Sequence, residues 1–245
     1  WESDDGSKSA VCTGWKLYTQ AEYGGAWALA DEDTGTEIDS LPFSGKATRL
    51  VWQWQPSISC TATAGAGGSV SPTEQWVDAG ETATVTASAG SDYLFLNWTG
   101  DRSGSNAVGC FENGRAPLAV TATFYPVVSV AQDGSDSAAG MEKEPFATVA
   151  HAIKVAAARA GELSSVVGVK VGPGTFQQDK ELVVDSGIRL IGSGSGVTVL
   201  DAQGKSRVMT VSAAKAYVSD FTITGGKTPS GKDGGGVNML AGTLS

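Results

Sequence analysis

Two aspartates and four bases near the end of the chain are the residue types that could act together on a substrate. Asp201 and Asp220 lie nineteen positions apart among short strand-like runs, a spacing that could stack one above the other. Arg189, Lys205, Arg207 and Lys215 are the bases within reach. Elimination from a uronate-containing polysaccharide needs such a set. A lysine or arginine takes the proton beside the carboxylate, and a cation, often Ca²⁺ held by several oxygens, neutralises that carboxylate. A glycosidase would instead need two acids at a defined separation in space, which sequence spacing does not supply. Against both, Asp201 stands in Asp-Ala-Gln-Gly, where aspartate suits a tight turn, and Asp220 directly precedes a strand. The expectation is a structural role for each, with no catalytic, metal-binding or cofactor-binding residue assigned and no cofactor required.

Other sites are weaker still. Ile191-Gly192-Ser193-Gly194-Ser195-Gly196 has the glycines of a dinucleotide loop, but Val197-Thr198-Val199-Leu200 follows as a strand, and such a loop must open a helix. Gly226-Lys227-Thr228 imitates the end of a phosphate-binding loop, yet Phe221 occupies the earlier glycine position and Pro229 blocks the helix that must follow. Both read as corners. The stretch from Gly225 to Gly236 reads as a surface excursion, with a substrate-facing loop as the alternative. His151 is the single histidine, off the apolar stripe of a predicted helix, and one histidine makes no metal site. Cys12, Cys60 and Cys110 give no CxxC knuckle; Cys60 and Cys110 share one module, and both free thiols and a bridge stay open. Asn97-Trp98-Thr99 satisfies the glycosylation pattern, but inside a strand rather than at a loop tip.

Composition narrows the classes. The 245 residues hold 33 glycines and a net charge of −9, which points to an all-β protein with many corners rather than to a helical one. Residues 1–56 carry nine acids against four bases, residues 57–126 six against two, and residues 127–245 eleven of each. An acidic chain without a basic stripe repels a phosphate backbone, so nucleic acid is excluded as a partner. No apolar run is long enough for a transmembrane helix. The chain opens at Trp1 without a visible signal peptide and stops at Ser245 without a cap, so it is expected to be part of a longer protein.

Three segments must position whatever chemistry exists. Residues 1–56 read as a small β-module with strands at Cys12–Tyr18 and Leu50–Trp54, a polar turn at Asp31–Gly35, and a boundary at Pro56-Ser57. All seven tryptophans precede residue 99. The Leu50/Trp52/Trp54 face is expected to fill a thin core, with a sugar-stacking platform as the alternative. Residues 57–126 form the second module, with strands at 58–63, 81–87, 93–98 and 118–124. Its Gly67-Gly68-Ser69-Val70, Ala79–Ala87, Phe95-Leu96-Asn97-Trp98-Thr99-Gly100-Asp101 and Val120–Phe124 resemble, in that order, the internalin B-repeat-like module of bacterial surface proteins. Asn97 replaces that family's usual glycine before the tryptophan. The resemblance covers residues 57–125 and implies a spacer or adhesion module without catalytic residues.

In residues 127–245 a turn-rich loop at Asp133–Ser137 precedes a helix from about Phe146 to Gly161, with Phe146, Val149, Ile153 and Ala157 at helical spacing. β-prone runs then alternate with glycine corners: Val169–Val171, Ile188–Ile191, Val197–Leu200, Arg207–Val211 and Phe221–Thr224. Together with Val171-Gly172-Pro173-Gly174-Thr175-Phe176 and Val199-Leu200-Asp201-Ala202-Gln203-Gly204, this set resembles the right-handed parallel β-helix superfamily that includes pectate-lyase-like proteins. The resemblance implies a helix capping the first coils of an incomplete β-helix. It leaves the reaction open, because the superfamily mixes lyases, hydrolases, epimerases and adhesins. The reading is an all-β chain of two small modules and the start of a β-helix, a non-catalytic segment of a secreted or cell-surface bacterial protein used for adhesion or display, with polysaccharide or a host or cell-surface glycan as the partner. The alternative is the N-terminal part of a carbohydrate-active enzyme, a polysaccharide lyase or glycoside hydrolase, with its active site beyond residue 245.

Overall fold

The computed structural model describes residues 8–20, 25–35, 37–38, 47–78, 80–112, 116–185, 187–213, 216–228 and 234–244. Lys215, Pro229, Trp1 and Ser245, named above, lie outside these. Among the described residues there is one helix and every other element is a strand, so the chain is mostly β. It divides into two compact units: unit 1 holds residues 1–63, 70–87 and 98–121, and unit 2 holds residues 64–69, 88–97 and 122–245.

Unit 1 is antiparallel. Strand β1 (Lys8–Gln20) pairs on one side with β2 (Trp27–Asp33) and on the other with β3 (Thr48–Ala64). The expected boundary at Pro56-Ser57 is not a turn: β3 runs through it, with Pro56 opposite Ala10. A proline keeps a φ compatible with an extended chain and gives up only its N–H, so a sheet tolerates it where that donor is not needed. The expected polar turn at 31–35 is displaced too, because Asp31, Glu32 and Asp33 still pair in β2 and the bend follows at Thr34. Gly14 sits at a bulge in β1 with φ +144, and a Cβ there would lie 2.3 Å from the Asp33 carbonyl oxygen, so glycine is required.

Past β4 (Gly68–Ser71), β5 (Glu74–Asp78) pairs with β3, and β6 (Thr82–Ala89) pairs with β8 (Val108–Glu112), beyond β7 (Tyr93–Gly100). In β6 the threonines face outward while Ala83, Val85 and Ala87 are buried, the alternation of a sheet with one wet face. Trp98 is fully buried, edge-on to Phe111 at 5.4 Å, and its indole N–H donates to the Asn106 carbonyl at 2.9 Å. The three cysteines are free; Cys60 is buried, which pushes its thiol pKa up.

Unit 2 receives the end of β9 (Leu118–Val130), which also continues unbroken through Tyr125-Pro126. Helix α1 runs Val149–Leu163, later at both ends than the 146–161 span read from sequence. Its start is set by Thr148, whose hydroxyl caps the His151 N–H, while Ser164 in a left-handed conformation closes it and Gly161 stays helical. Val149, Ala152, Ile153, Ala156 and Ala160 are buried in one cluster with the strands that follow. His151 is half-buried with its ring 4.7 Å from that of Phe146.

After the helix the chain makes three rounds of three strands: β10 (Val167–Val171), β11 (Gly174–Gln177) and β12 (Leu182–Val184); β13 (Ile188–Ile191), β14 (Thr198–Asp201) and β15 (Met209–Val211); β16 (Tyr217–Ser219), β17 (Thr222–Thr224) and β18 (Val237–Met239). The short β19 (Thr243–Leu244) begins another. Each strand pairs in parallel with its counterpart one round later. The result is three parallel sheets, with β9, β10, β13, β16 and β19 in the first. Residues at equivalent positions stack inward: Val128, Val169, Leu190 and Val218 in the first sheet, Phe176, Leu200 and Ile223 in the second, and Leu182, Met209 and Val237 in the third. The glycine-rich segment at 192–196 is the corner between first and second sheets, as the strand after it requires; a Cβ on Gly192 would come within 2.1 Å of the Asp220 carbonyl oxygen of the next round.

Asp136 fastens the helix start to the loop before it. Its carboxylate accepts from the backbone N–H groups of Ala147 (3.0 Å) and Thr148 (2.9 Å) and from the Thr148 hydroxyl (2.7 Å). Partial burial raises its pKa, but those hydrogen bonds outweigh burial and hold it below the ordinary carboxylate range. A folded-state pKa below the unfolded one, near ~3.9, gives stability that is complete above that value and is lost as pH falls through the folded pKa. Urea denaturation should therefore show Asp136→Asn less stable than the parent at neutral pH, with the difference shrinking below about pH 4; a difference independent of pH would contradict this role.

Candidate functional site

The corners joining the second sheet to the third lengthen from round to round: residues 178–181, then 202–208, then 225–236. They are stacked by backbone bonds, Gln178 N–H to Asp201 O (2.9 Å), Gly204 N–H to Gly225 O (2.6 Å) and Lys227 N–H to Ser206 O (2.8 Å). Two clefts open on this face. One, of about 710 Å³, is lined by Gln132, Thr148, Thr175, Gln177, Gln178 and Glu181 among others. The second, of about 520 Å³, is lined by Glu181, Lys205, Ser206, Arg207, Lys227 and Asn238 among others, so Glu181 belongs to both. Gln178 is buried with neither atom of its side-chain amide hydrogen-bonded.

Charges on this face are largely matched between rounds. Arg207 donates to Glu181 at 3.0 Å and, through Nε, to the Gly234 carbonyl at 2.8 Å; Glu181 also accepts from the Thr210 hydroxyl. The Thr210 hydrogen bond, with Arg207 second among the favourable contacts, holds the Glu181 pKa below the ordinary value. Lys205 pairs with Asp179, which lowers the pKa of that exposed carboxyl, and also reaches Gln203. Asp-Lys-Glu at 179–181 and Lys-Ser-Arg at 205–207 are offset by 26 residues, one round of this chain. Sequence reasoning missed both acids, and that constant offset between acid-x-acid and base-x-base is the signal that could have found them.

The residues singled out from sequence do not form one site. Asp201 ends β14 and accepts from the Gln203 N–H at 2.8 Å, the turn role expected of it. Asp220, with φ +66, lies at the corner between first and second sheets and accepts from the Ser219 hydroxyl at 2.8 Å. The two therefore occupy different corners. Arg189 is elsewhere again, on the outer side of the first sheet, with its guanidinium 5.4 Å from the Tyr125 ring centre and 4.9 Å from that of Tyr217. Gly168 makes this possible: a Cβ there would meet Val127 at 2.6 Å and the Tyr125 ring at 3.0 Å. Asn97 is held by Thr123, whose hydroxyl donates to the Asn97 carbonyl at 2.9 Å and contacts its side-chain oxygen. Among the described residues no group of three or more His, Cys, Asp or Glu could hold a metal ion, and no helix is long and apolar enough to cross a membrane.

In unit 1 the core expectation for the β3 tryptophans fails. Trp52 is 37% exposed and Trp54 52%. Both stand on the face of β3 whose partners on β1 are Trp15 and Cys12. Trp15, opposite Trp52, is the indole that fills the core, at 9% exposure beside the buried Leu17. With that space taken, the indoles on β3 are left partly in solvent.

Residues 58–127 match the model of the divergent InlB B-repeat domain, a domain typical of bacterial surface proteins. The match agrees with the resemblance read from residues 57–125. No curated protein and no solved structure matches the chain.

The two corner ion pairs should differ in weight. Side chains of Arg207 and Glu181 are 14% and 34% exposed, whereas those of Lys205 and Asp179 are mostly in solvent. Arg207→Ala should cost roughly 1.5–3 kcal/mol of stability, the range for hydrogen bonds to charged groups, and Lys205→Ala clearly less, because its pair is exposed to solvent. Urea denaturation of the two variants checks the order, and equal losses would refute it.

Proposed function

We propose that this chain belongs to a secreted or cell-surface bacterial protein and serves adhesion or display, without catalysis of its own. In this reading residues 1–56 and 57–126 are spacer modules, and residues 127–245 are the start of a right-handed parallel β-helix whose first coil is covered by α1. The observation that carries it is the match of residues 58–127 to a domain typical of bacterial surface proteins. Three parallel sheets whose strands recur in a constant order support the β-helix part, since that order is what a stack of coils requires. The partner class is a polysaccharide or a host or cell-surface glycan, reached by the flanks of the molecule rather than by a reaction centre.

Chemistry in the corners argues against a lyase within this chain. A base must be free to take a proton, yet Lys205 and Arg207 are each held by a carboxylate and Arg189 is packed between two tyrosine rings. Incubating the 245-residue chain with polyuronates while following ultraviolet absorbance should yield no unsaturated product. Product that disappears on chelation would overturn the proposal in favour of a polysaccharide lyase. A screen of the chain against glycans and host surface proteins should yield a partner, and a screen with none would count against adhesion.

A further inference from the structure

The exposed tryptophans of unit 1 carry an inference about what is bound. Trp52 and Trp54 are two residues apart on one face of β3, so their indoles stand roughly 7 Å apart along the strand. Trp15 lies directly across from Trp52 and is buried with its indole N–H donating to nothing. The same register places Asp33 beside Trp15 and Asp31 beside Leu17, which puts two exposed carboxylates on this face. A ligand that suits it must offer flat apolar surface to the indoles and hydroxyl donors to the carboxylates. It must also carry no negative charge, because residues 1–56 hold nine acids against four bases.

We propose that the Trp52–Trp54 face of unit 1 is a stacking platform for an uncharged hexopyranose polysaccharide. A pyranose ring supplies both features at once: C–H faces for stacking and hydroxyl donors. A peptide partner would be selected by basic side chains against Asp31 and Asp33, and a second copy of this acidic chain is disfavoured by its own charge of −9. The inference rests on the adhesion reading and assigns the glycan contact to unit 1 rather than to the corner clefts of unit 2.

The test is affinity electrophoresis of the full 245-residue chain in gels containing hydroxyethyl cellulose, galactomannan or dextran, with polygalacturonate as the anionic comparison, alongside tryptophan fluorescence titration. At least one neutral polymer should retard the protein and shift its emission, and polygalacturonate should do neither. W52A/W54A should weaken binding by about tenfold or more, the loss typical of a truncated tryptophan anchor. W52F/W54F should recover part of it, since an aromatic face is retained; that recovery separates lost stacking from a misfolded module. W27A removes an exposed tryptophan that the β1–β2 register puts on the opposite face, and it should bind as the parent does. Undiminished binding by W52A/W54A overturns this platform and leaves the adhesion reading standing. Binding to polygalacturonate alone, or sedimentation showing that the double substitution abolishes self-association instead, also overturns it. Failure of every glycan and surface protein to bind overturns both.

Discussion

Parallel register between successive rounds is the constraint on which unit 2 depends. When a strand pairs with its counterpart one round later without a shift, each inward side chain lands on an inward side chain, and the interior becomes columns of valine, leucine, isoleucine and methionine. A slip of one residue would turn those columns outward and put Arg189, Lys170 or Thr210 inside. The same constraint governs the corners. Backbones there approach so closely that Gly192 has no room for a Cβ, and the buried Thr198 is tolerated because its hydroxyl donates to the Gly172 carbonyl and accepts from the Ser193 N–H. Among the described residues of unit 2, the side-chain amide of Gln178 is buried without a hydrogen-bond partner.

A stack of this kind has apolar interior at its ends as well as polar flanks. Helix α1 lies against β10, β12 and β13 with its alanine- and valine-rich side, covering interior that the first round would otherwise expose. The helix needs a fixed starting point, and Asp136 supplies it through three hydrogen bonds that a charged oxygen pair accepts better than a neutral one. Small residues also meet where α1 packs, since a Cβ on Gly187 would lie 3.2 Å from the Ala160 Cβ. Cap, loop and first round thus act as one structural element.

Surface chemistry divides between the two units. On unit 2 two acids of one round pair with two bases of the next, Asp179 with Lys205 and Glu181 with Arg207, on a polar face with two clefts. Unit 1 retains an acidic surface with indoles on it. The middle of the chain matches a domain typical of bacterial surface proteins, and Lys205 and Arg207, two of the bases singled out from sequence, are each paired with a carboxylate.

The sequence by itself determined many of the strands, the glycine corners, the existence of one helix before the rounds and the B-repeat-like module, because these follow from local alternation, backbone freedom and a motif order that sheet geometry imposes; β5, β8, β12 and β18, with weaker local patterns, were not legible in it. It also placed Asp201 in a turn, since an aspartate two residues before a backbone N–H can bond it locally. Tertiary structure alone decided the rest. Whether Pro56 and Pro126 break a strand depends on the neighbour each would have bonded, which no local pattern reveals. The start of α1 depended on Asp136, twelve residues before the Thr148 it holds. Trp15 and Trp52 are the same residue type in similar strands, paired directly across β1 and β3, and only the tertiary structure shows one of them in the core and the other partly in solvent. Asp179 and Glu181 became partners of Lys205 and Arg207 because a full round of chain returns to the same corner, a distance that only the stacked fold closes.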